Sequence, residues 1–261
     1  WDELVALQDS MKAKGIAPWC IGIESGDATG WTFTDWMEDV MLRLEGPDVY
    51  DKWVNHQIPF NDPTVKTAYQ TMMDIWGNKD YVYGGAQYIV QTNFGEAPKA
   101  AFTDPPKCLL TNQGNFITAF FPDDVQADLD AKVGVFTLPA IDAAIGTPAE
   151  VGGDQAVAFK DKPEVWAFLK YLTTKEAGVS WSKAGGAIFP YKDQDLSNYK
   201  TNLDRAFAQS LLDASFVRFD GGDAMPAAVG SGTFWTENVK LVNGSQDIDT
   251  TLANIEASWP K

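Results

Sequence analysis

Pro18-Trp19-Cys20-Ile21-Gly22-Ile23-Glu24-Ser25-Gly26, running on through Gly30-Trp31 to Thr34-Asp35-Trp36-Met37-Glu38-Asp39, is the stretch from which the fold can be read. A proline turn gives way to a short apolar run over 20–23, which reads as a strand. A polar, glycine-flanked loop follows it. Met37, Val40, Met41 and Leu44 then recur at helical spacing, predicting a helix from about Thr34 to Leu44 with Thr34 as its N-cap. Strand, loop and helix in that order are the repeating unit of an α/β fold.

The same alternation continues outward. Asp62-Pro63 supplies an N-cap and an N1 proline, and Val65, Ala68, Tyr69, Met72 and Trp76 follow on one helical face. Residues 108–111, 133–138 and 155–159 read as further strands. A helix opens at Asp161-Lys162-Pro163 with Val165, Phe168, Leu169 and Leu172 expected inside, and a last helix is expected near Asp247 to Trp259. At the other end, Trp1, Leu4, Leu7 and Met11 fall at helical spacing before Gly15, so the chain opens inside a helix that lacks its N-cap. The expectation is a fragment or a trimmed product. No internal repeat, low-complexity tract or long linker interrupts the pattern.

A length of 261 residues allows one large domain or two modest ones. No apolar run approaches the roughly 20 residues that a spanning helix needs. The formal charge of −16 repels nucleic acid and anionic membrane surfaces, and suits a soluble monomer. Cys20 and Cys108 each follow a proline-containing turn and open an apolar run. Neighbouring strands starting at one level would bring the two sulfurs within bridging range, which would favour an oxidising compartment. The alternative is two buried free thiols.

Catalytic signatures are sparse. His56 is the one histidine, which excludes a metal site built on several imidazoles, and it reads as an ordinary surface or core residue. No metal and no cofactor are expected. Gly22-Ile23-Glu24-Ser25-Gly26 has the glycines of a nucleophile elbow but carries Glu where the serine should stand. Asp193, Asp195 and Ser197 begin like a calcium loop, yet Asn198 occupies the position that requires glycine. Glu24 and Asp154 could act as acid and base on a glycoside. A binding protein also needs carboxylates, to accept hydrogen bonds from sugar hydroxyls.

The positive signal is aromatic. Ten Trp, fifteen Phe and eight Tyr are abundant for this length, and several stand in polar, glycine-flanked loops. Trp31 follows Gly30, Phe116 follows Asn112-Gln113-Gly114-Asn115, and Phe234-Trp235 follows Gly230-Ser231-Gly232-Thr233. A pyranose offers apolar C–H faces that stack on rings and a rim of hydroxyls that need amides and acids. Core residues reached from loops are the plainer explanation for any single ring. Position favours the ligand reading, because the loops 24–33 and 112–116 both follow expected strands, where ligands of open α/β sheets bind.

The run 18–39 resembles the family-1 extracellular solute-binding proteins, and within them the branch serving α-glucoside-type sugar importers. Trp53-Val54-Asn55-His56, Ile58 through Pro63, Pro105 through Cys108, Gly152-Gly153-Asp154, Lys162 through Val165 and Ile255 through Pro260 carry the resemblance along the chain. It implies a type II periplasmic-binding-protein fold of two α/β lobes, one of them incomplete here. Residues 1–152 would form most of one lobe, 153–203 the return into the other, and 204–261 the crossing back with a helical C-terminal part. The implied function is the carbohydrate-binding component of an ABC importer, not an enzyme. It would be periplasmic or extracellular, lipid anchoring included, with membrane permease subunits as partners. Carried over by position, Glu24, Ser25 and Trp31 resemble the first sugar-contacting loop. Asn115 and Phe116 fall where a stacking aromatic is usual, Gly153 and Asp154 lie at the lobe crossing, and Trp235 matches the aromatic after the last crossing. Stacking would fall to Trp31, Phe116 and Trp235, and hydroxyl binding to Glu24, Asn115 and Asp154. The competing readings are a glycoside-processing enzyme using Glu24 and Asp154, and a structural or adhesion module.

Overall fold

The computed structural model describes residues 1–189 and 191–261. In chain order its helices are α1 (Asp2–Ala13), α2 (Trp31–Val54), α3 (Pro63–Trp76), α4 (Gly85–Gln91), α5 (Asp123–Gln126) and α6 (Leu129–Lys132). They continue as α7 (Pro163–Leu172), α8 (Lys175–Ala184), α9 (Asn202–Asp213), α10 (Gly221–Ala224), α11 (Phe234–Val242) and α12 (Ile248–Ala257). The strands are β1 (Ala17–Trp19), β2 (Cys108–Leu110), β3 (Ala149–Val151) and β4 (Val217–Phe219). The chain divides into two compact units. The first comprises Trp1–Gln113, Leu138–Val151 and Ser215–Lys261; the second comprises Gly114–Thr137 and Gly152–Ala214.

The first unit holds both sheets. β1 pairs in parallel with β2, Ala17 opposite Cys108 and Trp19 opposite Leu110. Single bridges from Trp19 to Val82 and from Glu24 to Asn93 extend that edge. β3 pairs in parallel with β4, Glu150 opposite Arg218. The expected strand at 20–23 is therefore displaced: regular pairing ends at Trp19, and 20–23 run on without a ladder as far as the bridge at Glu24.

The helix expected from Thr34 starts three residues earlier, because Gly30 takes a φ of 116° that turns the chain at its N-terminus. It also runs past Leu44 to Val54, bent where Gly46 adopts a φ of 77° ahead of Pro47. Asp62 caps α3 as its sequence indicates, accepting from the Thr64 N–H at 2.9 Å. Asp247 does the same for α12 through the Thr250 N–H.

Aromatic rings build the core of this unit. Trp36 stands edge-on to Trp19 at 4.9 Å and to Trp76 at 5.4 Å, and Phe33 meets Trp76 at 5.1 Å. Trp53, Phe60 and Phe234 form a second group with centroids 5.1 to 5.7 Å apart. All of these rings are buried. Cys20 and Cys108 are joined in a disulfide, with Cα atoms 5.4 Å apart. They do not open their strands at one level. Cys108 starts β2, whereas Cys20 follows the end of β1 and donates its N–H to Leu110.

The second unit is helical. Thr201 and Asp204 form a capping box at the start of α9, and the Asp130 carboxylate accepts from the N–H groups of Asn202 and Leu203. The strands expected at 133–138 and 155–159 are absent. Neither segment has a partner strand among the described residues, and Val157 and Phe159 point into solvent. An apolar run without a ladder has nothing to hold it extended. α7 forms where expected, yet Val165, Phe168, Leu169 and Leu172 are not buried, and Phe168 is 59% exposed. No helix among the described residues is long and apolar enough to cross a membrane.

Candidate functional site

Glu24, Ser25, Trp31 and Trp235 all belong to the first unit, and the backbone gathers them at one corner. Gly30 donates its N–H to the Ile23 carbonyl at 3.1 Å, closing the loop 23–30. Ser25 N–H is fixed by the Thr29 hydroxyl at 3.0 Å. Gly30 lies directly against the backbone of Trp235: a Cβ there would stand 2.6 Å from the Trp235 carbonyl oxygen. Only glycine permits that approach together with a φ of 116°. The Gly30-Trp31 turn and the first turn of α11 are thereby locked side by side. Both indoles are half-buried.

Glu24 is the chemical centre of this corner. Its Oε1 accepts from Gly26 N–H at 2.8 Å and its Oε2 from the Asn93 amide at 3.0 Å. Those donors, Gly26 foremost and Asn93 next, hold the carboxyl below its ordinary range. It is therefore an ionised acceptor. Phe94, the next residue along from Asn93, stands edge-on to Trp31 at 5.1 Å. Asn93 and Phe94 escaped the sequence reading, although Thr92-Asn93-Phe94-Gly95 carries the same signal used elsewhere, an aromatic beside an amide and a glycine.

The other four expected residues lie in the second unit. Asn115 opens a 3₁₀ turn, Asn115–Phe120, and donates to the Gly186 carbonyl at 3.2 Å. Phe116 is 40% exposed. Gly153 and Asp154 are exposed in the irregular segment after β3. His56 is structural: its Nε2 lies 3.0 Å from Glu256 and its ring stacks on Trp259 at 4.1 Å, tying the turn after α2 to the end of α12.

A second group of acids also escaped the sequence reading. Glu38, Glu150 and Asp220 each bring a carboxylate oxygen within 4.8 Å of the others. Burial foremost, then the charges of Asp220 and Asp35, pushes Glu38 well above the ordinary range. Glu150 rises for the same first reason, with Asp35 and Glu38 next. Glu38 already accepts from Tyr50 OH at 2.9 Å, from Gly222 N–H at 2.9 Å and from Gly221 N–H. A crowded buried acid group of this kind retains protons where an exposed carboxyl would have lost them.

Solved structures define the fold. The chain aligns with a chitin oligosaccharide binding protein at a TM-score of 0.75 and 17% identity, over 98% of this chain and 63% of that one. It aligns with the bacterial solute receptor AcbH, described as preferring β-D-galactopyranose, at 0.73 and 19%, over 99% and 62%. The fold is that of the periplasmic solute-binding proteins, α/β and type II. Within it, residues 1–179 match the bacterial extracellular solute-binding protein family, and the chain belongs to that family. Relatives include the osmoprotective compounds-binding protein GgtB of Synechocystis sp., 44% identical over all of this chain and 61% of that protein. The alpha-glucosides-binding periplasmic protein AglE of Rhizobium meliloti is 38% identical over 99% of this chain and 56% of that protein. The chain thus spans about three fifths of the length of these relatives.

Proposed function

We propose that the chain forms the sugar-gripping part of the binding component of an ABC importer, taking an α-glucoside or related oligosaccharide and delivering it to membrane permease subunits. The observation that carries this reading is the corner around Glu24. There an ionised, half-exposed carboxylate and Ser25 lie on the loop that ends at Gly30-Trp31, whose backbone abuts that of Trp235, so that an acceptor and two half-buried indoles, the mixture a sugar ring requires, belong to one corner. Similarity to AglE along nearly the whole chain supports the ligand class.

In the second unit, Asn115, Phe116, Gly153 and Asp154 supply the same chemistry, an aromatic with amide and acid. The lobe assignment that goes with the resemblance is 1–152 for most of one lobe, 153–203 for the return and 204–261 for the crossing back; the compact units depart from it at 114–137 and 204–214, which group with the second unit. A periplasmic or extracellular site fits the disulfide between Cys20 and Cys108. The condition of Glu24 argues against the general-acid role in glycoside chemistry. A general acid must keep its proton near neutral pH, and the two hydrogen bonds on this carboxyl favour losing it.

Calorimetric titration with a panel of mono- and disaccharides tests the reading, repeated with Trp235→Ala. Saturable binding without turnover, weakened by the variant, is the expected result. An affinity untouched by Trp235→Ala would remove that ring from the site.

A further inference from the structure

We propose that Asn93 is the positioning residue of this site, holding the Glu24 carboxylate as a fixed acceptor for adjacent sugar hydroxyls without touching the ligand itself. The proposal rests on the reading of Glu24 as a ligand group.

The hydrogen bonds of Asn93 are directional. Its Oδ1 accepts from Gly95 N–H at 3.0 Å, which settles that the NH₂ end of the amide faces the other way. That NH₂ donates to the Glu24 carbonyl at 3.2 Å and to Glu24 Oε2 at 3.0 Å. Both amide hydrogens are thus committed to Glu24, and Asn93 has no donor left for a sugar. Glu24, by contrast, keeps capacity. A carboxylate offers about four acceptor positions. Gly26 occupies one on Oε1 and Asn93 one on Oε2, so each oxygen retains one for a hydroxyl. The two bonds, on different oxygens, fix the plane of the carboxylate as well as its charge.

The backbone makes the arrangement separable from folding. Glu24 N–H donates to the Thr92 carbonyl at 3.0 Å, and Phe94 N–H donates to the Glu24 carbonyl at 3.1 Å. These main-chain bonds hold segment 92–94 beside Glu24 whatever side chain stands at 93. Removing the Asn93 side chain therefore frees Oε2 of the carboxylate, leaves the Gly26 bond on Oε1, and leaves the pairing in place. Phe94 is carried along on the same segment and keeps its edge against Trp31.

Two readouts test this on Asn93→Ala, Asn93→Asp and Glu24→Gln. The first needs no ligand: NMR titration of the Glu24 carboxyl carbon. In the parent the midpoint lies below the ordinary glutamate range, in Asn93→Ala it moves part of the way back while the Gly26 N–H still holds it down, and in Asn93→Asp it rises further because a second carboxylate stands beside it. The second is affinity against pH for the tightest binder among methyl α-glucoside, maltose, sucrose and trehalose. With Asn93→Ala, the fall in affinity between pH 7.5 and pH 4 should exceed the parent's by up to about threefold, as the acid limb moves upward. Asn93→Asp should carry the acid limb higher still, so that affinity goes on rising with pH above the range in which the parent has levelled off. A purely structural asparagine would lower affinity equally at every pH. An unmoved Glu24 midpoint in Asn93→Ala overturns the proposal while leaving the sugar-binding reading intact. Undiminished affinity in Glu24→Gln, or no binding of any of the four sugars by the parent chain, overturns the reading and the proposal with it.

Discussion

The two compact units differ in how many of their aromatic residues they cover, although the second does bury Phe121 and Tyr199. In the first, Trp19, Phe33, Trp36, Trp53, Phe60, Trp76 and Phe234 interlock edge to face, and none is more than 4% exposed. In the second, Phe159 is 93% exposed, Phe168 59%, Trp181 58% and Trp166 53%. Helical spacing is equally good in both. α3 in the first unit and α7 in the second each carry a clean apolar face, but α3 lies against α2 and α12 while α7 buries no residue at all. Periodicity states that a helix has an apolar side; it says nothing about whether another layer covers it. Stability should therefore be concentrated in the first unit, and that contrast can be broken by experiment.

The largest effect is expected at Trp53, which is fully buried among Tyr50, Phe60 and Phe234. Trp53→Ala should lower unfolding free energy by about 3–5 kcal/mol in a urea titration. A loss under about 1 kcal/mol would mean that the aromatic core is not packed as described. Removing the disulfide comes next. Cys20 and Cys108 are 88 residues apart, and replacing both with alanine should cost about 2–4 kcal/mol, read in the same titration against the parent under non-reducing conditions. Gly22→Ala follows. A Cβ there would sit 2.5 Å from the Thr92 carbonyl and 2.9 Å from the Ala97 Cβ, so a loss of about 1–3 kcal/mol is expected, together with weaker sugar binding because segment 92–94 is pushed away from Glu24.

How much of this was legible beforehand follows the range of the interactions. Caps are local, and Asp62 and Asp247 announced α3 and α12 correctly. The Cys20–Cys108 bond was legible because both residues sit beside strands of one sheet, although their level was misjudged by the length of β1. Glu24, Ser25 and Trp31 were legible as a loop, and Trp235 joined them through a contact at Gly30 that no spacing predicts. Glu38, Glu150 and Asp220 lie more than a hundred residues apart along the chain at two of three steps of the sequence, and only the folded strands β3 and β4 bring them together. Burial in the second unit was misjudged because apolar spacing was taken to imply a covering layer.

The acid group supplies a pH test confined to the first unit. In the unfolded chain these carboxyls titrate in the ordinary range, near about pH 4. In the folded chain Glu38, Glu150 and Asp220 are all raised, burial being the leading cause for each. Above the ordinary range the folded state thus binds more protons than the unfolded one. The sign is fixed: stability contributed by the group is complete at low pH and is lost as pH rises through the folded values. Glu150→Gln removes one ionisation, so its stability should decline less steeply between pH 5 and pH 8 in parallel urea titrations. Identical slopes for variant and parent would mean that Glu150 is not coupled to its neighbours.

The smallest effect is the sharpest on the second unit. Phe159 stands almost wholly in solvent, so truncating it removes little burial and opens no cavity. Phe159→Ser should change unfolding free energy by no more than about 0.5 kcal/mol, while reducing the fluorescence of a dye that binds exposed apolar surface. The two readouts must move apart for the contrast to stand. Were Phe159→Ser to destabilise the chain as Trp53→Ala does, the ring would have to be packed in solution. The buried set of the second unit would then extend well beyond Ile117, Phe121, Val125, Tyr199 and Leu203, and the difference between the units would narrow.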